Sequence, residues 1–292
     1  MCADLDTLLI AVYCAACALF PADRAPKRGR PELITDNELV CLMVAQMLLQ
    51  CPSDRVFLRR ARRRLGHFFH YLPSQSRYNE RCRALVPKLV VLWRALASET
   101  LGAADDLRLL DTTPLPCGRS VTTTRTSELA PWAGFGYCAA HSRHYWGFKL
   151  VLLSAPDGTV CDFDLVGANT PEREAALTML EANPVAGTTI ICDKGFAGRD
   201  FEAAVGELRA LLLRPSRADE PDRPSPPIGW IRQRIESIIQ TLKGQMLLER
   251  HGGRTPAGLL ARVSARILAL CACINLNQYL GLASRELAPY AD

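Results

Sequence analysis

The sequence predicts an α/β protein, in which an all-helical N-terminal domain precedes a mixed sheet with flanking helices. Three observations predict this fold class. Up to about residue 100, apolar residues recur with helical spacing and polar residues mark helix starts. From residue 105, short apolar segments predict three strands in succession. After them, strands alternate with helices, an order that is typical of a mixed sheet covered by helices.

The N-terminal domain, residues 1–104, is predicted to consist of several short helices. Thr35 and Glu38 have the spacing of a capping box and begin a helix that ends before Pro52. Further helices are expected at about 5–20, 54–64 and 76–98. Their polar, arginine-bearing first turns suit a helix-turn-helix-like DNA-binding module, and a plain helical bundle is the alternative.

Composition and charge limit the class of protein. Of the 292 residues, 49% are apolar and 22% are charged, which is typical of a globular chain and excludes a disordered one. The net charge of +5 is modest, but residues 59–64 include five arginines. Two of these, Arg62 and Arg63, are predicted to bind DNA, because guanidinium groups pair bidentately with phosphate oxygens. A solvated helix face is the alternative.

Cysteines and apolar stretches indicate the cellular compartment. Most of the 12 cysteines lie in apolar segments, and Cys14 and Cys17 lack the second pair that a zinc site needs. No disulfide framework is indicated, so a reducing cytoplasm is expected. The apolar stretch 5–20 is short for a membrane span and contains Asp6, so no membrane contact is expected.

The second domain, residues 105–283, is predicted to carry the sheet, and residues 284–292 to form a C-terminal tail. A first strand over 107–110 is expected to stop at Asp111, because two prolines follow closely. The remaining strands are expected at 145–153, 160–166, 188–192 and 210–213, and the helices at 171–181, 199–208, 231–246 and 259–280.

Two aspartates, Asp111 and Asp193, stand at the ends of predicted strands. Ligand sites of open α/β sheets gather at the ends of strands, although a single aspartate in such a place commonly caps a turn. Glu172 and Glu174 are instead assigned to the first turn of their helix, because its N-terminal end favours acidic side chains.

Glu236 lies on a helix whose apolar residues recur on one face with the helical period. Arg232, Glu236 and Lys243 fall together on another face. At about 100° per residue, Lys243 returns nearly above Glu236 after two turns. A carboxylate and a lysine are therefore expected to project from one ridge, and a solvated polar face with an Arg232–Glu236 pair is the alternative.

Three carboxylates such as Asp111, Asp193 and Glu236 suit a metal-dependent phosphoryl-transfer site. They can hold two divalent ions roughly 4 Å apart, which activate the attacking oxygen and stabilise the leaving oxygen in an in-line displacement. Oxygen ligands favour Mg²⁺ or Mn²⁺ over Zn²⁺. Without metal the three charges repel one another, so a weakly ordered site is expected in the empty protein.

Five sequence motifs follow one another along the second domain. They are Asp111-Thr-Thr-Pro-Leu-Pro-Cys, Gly136-Tyr-Cys-Ala-Ala-His, Tyr145-Trp-Gly-Phe-Lys-Leu, Cys192-Asp193-Lys194-Gly195-Phe196 and Arg232-x3-Glu236-x6-Lys243. In this order they resemble the DDE-class transposases of insertion sequences, in particular the branch named after insertion sequence 982. Single motifs of this kind are weak signals, but their order on these predicted elements is specific. The resemblance covers residues 105–275.

The resemblance implies an RNase H-like fold in which Asp111, Asp193 and Glu236 are the catalytic and metal-binding residues. It implies an enzyme that hydrolyses a phosphodiester at the inverted-repeat ends of an insertion sequence. The freed 3′-hydroxyl then attacks target DNA. Transposases of this kind usually act as dimers on paired ends, so a homodimer on DNA is expected.

The resemblance also implies DNA-binding side chains around the carboxylates. Arg232 and Lys243 are expected to bind phosphates near the cut, and Lys194, on the turn after its strand, is a further candidate. Related enzymes carry a tyrosine three residues before the arginine, where this chain has Gly229. The neighbouring Trp230 is the candidate substitute for that aromatic contact.

Two other functions stay open on the sequence alone. An RNase H-like nuclease without strand transfer would share the fold and the carboxylates. A catalytically inactive DNA-binding regulator would act through the N-terminal helices, although the presence of all three carboxylates argues against it.

Overall fold

The computed structural model describes residues 3–21, 32–138, 142–217, 220 and 229–291, the side chains of residues 229, 230 and 232 excepted. The chain forms two compact units. The helical unit comprises residues 1–100 and 242–292, and the α/β unit comprises residues 101–241.

The elements follow the predicted order closely. In chain order the α-helices are α1 (Leu5–Leu19), α2 (Asp36–Leu48), α3 (Asp54–Arg64), α4 (Gln75–Ala84), α5 (Val86–Ser98), α6 (Val121–Thr126), α7 (Glu172–Glu181), α8 (Arg199–Glu207), α9 (Gly229–Gln240) and α10 (Pro256–Tyr279). The strands are β1 (Leu107–Gly118), β2 (Gly134–Cys138), β3 (Arg143–Ser154), β4 (Val160–Gly167), β5 (Thr189–Ile191) and β6 (Leu211–Leu213). Sequence analysis misses α6 and β2.

One predicted helix, over 76–98, is in fact the pair α4 and α5, which break at Leu85. The physical reason is Pro87 in the first turn of α5, because proline has no N–H to continue a helix and its ring clashes with the preceding turn. The capping box at the start of α2 is confirmed: Glu38 accepts from the Thr35 backbone at 2.6 Å, and Thr35 Oγ1 accepts from the Glu38 backbone at 3.2 Å.

Helix α10 is the central helix of the helical unit and packs against α2, α4 and α5. By length and composition it could cross a membrane, but 83% of its most apolar window is buried in the protein. Residues 242–283 thus group with the helical unit, whereas the sequence analysis assigns them to the second domain. Part of the expected C-terminal tail is also packed: Tyr290 is fully buried and its hydroxyl donates to Asn277 Oδ1 at 2.5 Å.

A buried polar network holds the start of α3 in the helical unit. Arg262 of α10 pairs with Asp54, the first residue of α3. Gln46 of α2 donates to the same carboxylate at 2.8 Å and accepts from the Tyr78 hydroxyl at 2.9 Å. Because these partners are buried and hydrogen-bonded to one another, the network restrains the orientation of α3.

The α/β unit contains a six-stranded mixed sheet. Strands β1 and β3, and β3 and β4, are antiparallel, whereas β5 runs parallel to β1 and to β6. The order is β4-β3-β1-β5-β6, and β2 pairs with the part of the β3 edge that β4 does not occupy. This arrangement, with flanking helices, confirms the predicted RNase H-like mixed sheet.

The two faces of the sheet are covered by different helices. Side chains alternate between the faces along each strand. Leu110 and Ile190 belong to the apolar core that α7 and α8 share with the sheet. Asp111, one position after Leu110, therefore points to the opposite face. Helix α9 also packs against β1, and its buried isoleucines lie outside the α7–α8 core, so it covers that opposite face.

The prediction that strand β1 stops at Asp111 is wrong, because the strand continues to Gly118. Its pairing with β5 ends at Leu109, so within the described residues the later part of β1 pairs with β3 alone. Prolines are tolerated in such an edge segment because one side of its backbone needs no partner. Asp111 therefore lies inside a strand, at the point where the sheet loses a neighbouring strand.

Candidate active site

Asp111 and Asp193 lie at the same level of two adjacent parallel strands. Leu109 pairs with Ile191, and each aspartate follows its member of this pair by two residues. Asp193 continues β5 in an extended conformation, with φ −80° and ψ 165°. Because side chains two residues apart share a face and paired strands are about 4.8 Å apart, both carboxylates are placed on one face of the sheet.

Glu236 belongs to α9, which packs against β1. The predicted apolar face of this helix is confirmed, because the isoleucines at helical spacing are buried: Ile231, Ile235, Ile238 and Ile239. Glu236 itself is exposed. Its negative charge acts on Asp111, so the helix brings Glu236 into the electrostatic neighbourhood of the strand carboxylates.

The pKa of Asp111 is raised from its ordinary 3.8 to about 7, chiefly because the carboxyl group is buried. The backbone N–H of Thr112 acts in the opposite direction by donating to the carboxylate. Three neighbouring carboxylates raise the pKa further through their charge, in the order Glu172, Asp193 and Glu236. Negative charge is thus concentrated around Asp111.

The carboxylates fit divalent ions by donor chemistry and by charge. Within the described ranges, no three His, Cys, Asp or Glu side chains are gathered closely enough to hold an ion. Asp111 Oδ1 and Asp193 Oδ1 each accept the N–H of the following residue, both at 2.7 Å. Mutual repulsion gives a physical reason for this separation. Carboxylate oxygens are the ligands that Mg²⁺ and Mn²⁺ prefer, and such ions would offset part of this negative charge.

Glu172 is an acidic residue of this region that sequence analysis assigns only to the start of its helix. Its Oε1 accepts a hydrogen bond from Thr112 Oγ1 at 2.9 Å, and a Cβ on Gly195 would lie 3.6 Å from its Oε2. Thr112 alternates with Asp111 along β1, so Glu172 approaches from the α7 side of the sheet. The available sequence signal, a glutamate in the first turn of a helix, is shared by Glu174 and does not distinguish the two.

Lysines predicted to bind DNA have different surroundings. Lys194 is exposed and lines an open cleft beside Asp193. Lys243 instead pairs with Glu249 at 3.2 Å. It lies in a π-helical turn, Thr241–Gln245. The α-helical spacing that predicts Lys243 above the carboxylate of the same helix therefore does not continue to this residue.

Two predicted DNA-binding residues, Trp230 and Arg232, have side chains outside the described part of the structure. Their backbones lie in the first turn of α9.

In the helical unit, α3 presents an arginine-rich surface. Arg62 and Arg63 are both exposed. Arg63 also lines a cleft of about 450 Å³ together with Arg59, Arg60 and Arg64. Several guanidinium groups along one helix produce a positive surface that attracts polyanions.

Comparison with known proteins identifies the family. A family model described as a transposase DDE domain matches residues 102–276, more than half of the chain. A search of curated proteins finds no match. Among solved structures, the chain is similar to the piggyBac transposase in a synaptic complex with hairpin DNA. The TM-score is 0.43 at 11% identity, over 97% of this chain and 75% of that one. On the strength of the family match, the chain belongs to the family of proteins with a transposase DDE domain.

Proposed function

We propose that the chain is an insertion-sequence transposase. It cuts DNA at the inverted-repeat ends of its element and joins the freed 3′-hydroxyl to target DNA. The observation that carries this proposal is the placement of Asp111 and Asp193 at one level of adjacent strands, on the face that α9 covers. The family match supports nucleotidyl transfer as the class of reaction, and the order of the motifs favours the branch named after insertion sequence 982.

Asp111, Asp193 and Glu236 are proposed to hold two Mg²⁺ or Mn²⁺ ions. Such ions activate an attacking oxygen and stabilise a leaving oxygen at phosphorus. The protein positions the three carboxylates. Strands β1 and β5 fix the two aspartates at one level, and the buried face of α9 fixes the rotation of the helix that carries Glu236. The hydrogen bond between Thr112 and Glu172 restrains β1 from the opposite face.

DNA is the proposed partner of both units. In the helical unit, Arg62 and Arg63 are proposed to bind phosphates of the element ends. Near the cut, the proposed contacts are made by Lys194, Trp230, Arg232 and Lys243. Lys243 would exchange Glu249 for a phosphate when DNA binds. Because both ends of an element are processed together, a homodimer on paired ends is proposed, acting at the bacterial nucleoid.

A strand-transfer reaction tests the function. The protein is incubated with duplexes that carry the pre-cut ends of its element, a supercoiled plasmid and either Mg²⁺ or Mn²⁺. We expect end-to-plasmid joined products on a gel, absent when EDTA replaces the metal. Cutting of uncut ends without any joined product would identify a nuclease instead. Metal-independent binding with neither product would identify a DNA-binding regulator.

Replacing Arg62 and Arg63 together by alanine is expected to weaken binding of end-containing duplexes by about tenfold in moderate salt. Each lost phosphate contact should also reduce the slope of log affinity against log salt by about 0.9. Fluorescence anisotropy over a range of KCl concentrations measures both quantities. Both side chains are exposed, so the melting temperature should not change.

The matched control for this pair is Arg254→Ala, which removes an exposed arginine of the same unit. It should leave affinity and slope as in the parent. If the double variant kept the parental slope and affinity, α3 would have no part in DNA binding.

A further inference from the structure

An open cleft of about 380 Å³ lies beside the candidate catalytic Asp193. It is lined by Asp193, Lys194, Gly195 and Arg217. Both cationic side chains are exposed. Gly195 contributes only backbone atoms to this lining. The cleft therefore offers two positive charges next to one of the carboxylates that the proposed reaction uses.

The position of Arg217 in this cleft is defined by hydrogen bonds. Its Nε donates to the backbone carbonyl oxygen of Lys194 at 3.4 Å. Its backbone N–H donates to Glu220 Oε2 at 3.1 Å. Within the described residues, the two terminal nitrogens of the guanidinium have no acceptor. Toward the described part of the chain, the terminal nitrogens of the guanidinium are therefore open, while Nε and the backbone N–H of Arg217 are hydrogen-bonded.

A buried arginine anchors the segment that carries Arg217. The side chain of Arg214 is only 2% exposed and pairs with two carboxylates, Glu202 of α8 and Glu220, each with a shortest distance of 2.6 Å. Hydrogen bonds to these carboxylates raise the pKa of Arg214 above its ordinary value, so it stays charged. Because Glu220 also accepts the backbone N–H of Arg217, the ion pairs connect Arg217 to α8.

We propose that Arg217 and Lys194 together bind one phosphate of the DNA strand that is cut, beside Asp193. This inference rests on the proposed function and adds a residue that the sequence motifs do not include. A guanidinium and an ammonium that line one open cleft suit a phosphodiester, since the planar guanidinium offers paired donors and lysine a point charge. Because the backbone N–H and Nε of Arg217 are already hydrogen-bonded, the side chain loses little conformational freedom on binding.

The first test compares Arg217→Ala and Arg217→Lys with Arg199→Ala, a control that removes an exposed arginine of α8. Binding of a pre-cut end duplex is measured by anisotropy in Ca²⁺ over a range of KCl concentrations. We expect Arg217→Ala to weaken binding about five- to tenfold and to lower the salt slope by about one. Arg217→Lys should restore the slope but only part of the affinity, and the control should match the parent.

The second test locates the phosphate. Each phosphate near the cut is replaced singly by an uncharged methylphosphonate, and binding is measured again. One substitution should weaken the parent protein but have no further effect on Arg217→Ala, because the contact is already lost there. If every substitution weakens both proteins equally, or if Arg217→Ala binds like the parent, the inference is wrong.

The readout separates this inference from the proposed function. Failure of the parent protein to form joined products would count against the transposase activity. The methylphosphonate experiment, by contrast, depends on binding alone. A parent protein that joins ends but shows no phosphate coupled to Arg217 would overturn the proposed phosphate contact and leave the transposase assignment intact.

Discussion

Replacing Asp111 or Asp193 by asparagine, or Glu236 by glutamine, is expected to reduce strand cleavage by roughly a thousandfold or more. Loss of one ionised ligand weakens the binding of both ions and leaves charge at the reacting phosphorus uncompensated, a loss of several kcal/mol in transition-state stabilisation. DNA binding should be retained, because phosphate contacts by arginine and lysine do not depend on these carboxylates. Single-turnover cleavage of a labelled end duplex in Mn²⁺ measures the rate, and anisotropy measures binding.

Two controls keep this result specific. Asp200→Asn and Glu174→Gln neutralise exposed carboxylates on α8 and α7 of the same unit. Both should cleave at nearly the parental rate. Substantial cleavage by any of the three site variants, in a preparation free of parental enzyme, would remove that residue from the catalytic set.

Asp111→Asn is also expected to make the metal-free protein more stable, even though it inactivates the enzyme. The folded pKa of Asp111 is about 7, against an ordinary 3.8. The folded state therefore holds more protons than the unfolded state between these values, so stability falls as pH rises from about 4 to about 7 and stays low above it. The full shift corresponds to an upper limit of about 4 kcal/mol, of which we expect about 1–3 kcal/mol to be recovered.

Urea denaturation in EDTA at pH 5 and at pH 8 measures this effect. The gain in unfolding free energy of Asp111→Asn over the parent should be larger at pH 8. With Mn²⁺ the order should reverse, because metal binding stabilises only the protein with the complete ligand set. Asp200→Asn serves as the control and should show no such pH dependence. If the gain in unfolding free energy were absent, or equal at both pH values, the ionised Asp111 carboxylate would not destabilise the metal-free protein.

Several parts of the fold could be predicted because a local signal was decisive. The spacing of the isoleucines on α9 predicts its buried face, and this face positions Glu236. The apolar segment before Asp193 predicts a buried strand, which the structure forms as β5. The capping box at Thr35 predicts the start of α2. In each case, periodicity or a hydrogen-bonding side chain at a defined spacing fixes the element locally.

Other parts depended on tertiary contacts that the sequence does not display. Pro114 indicates the end of a strand, yet β1 continues past it, since this part of β1 borders only β3 among the described strands. The grouping of α10 with the N-terminal helices follows from long-range packing. Glu172 and Arg217 join the carboxylate region through hydrogen bonds to residues distant in sequence, Thr112 and Lys194. No spacing rule connects such partners.

The most direct test of the proposed metal site is a crystal structure of the protein bound to a pre-cut end duplex and Mn²⁺, with anomalous diffraction used to locate the ions. The account predicts two anomalous peaks roughly 4 Å apart, coordinated by oxygens of Asp111, Asp193 and Glu236. Manganese bound elsewhere, or these three carboxylates still apart in the complex with DNA, would contradict it.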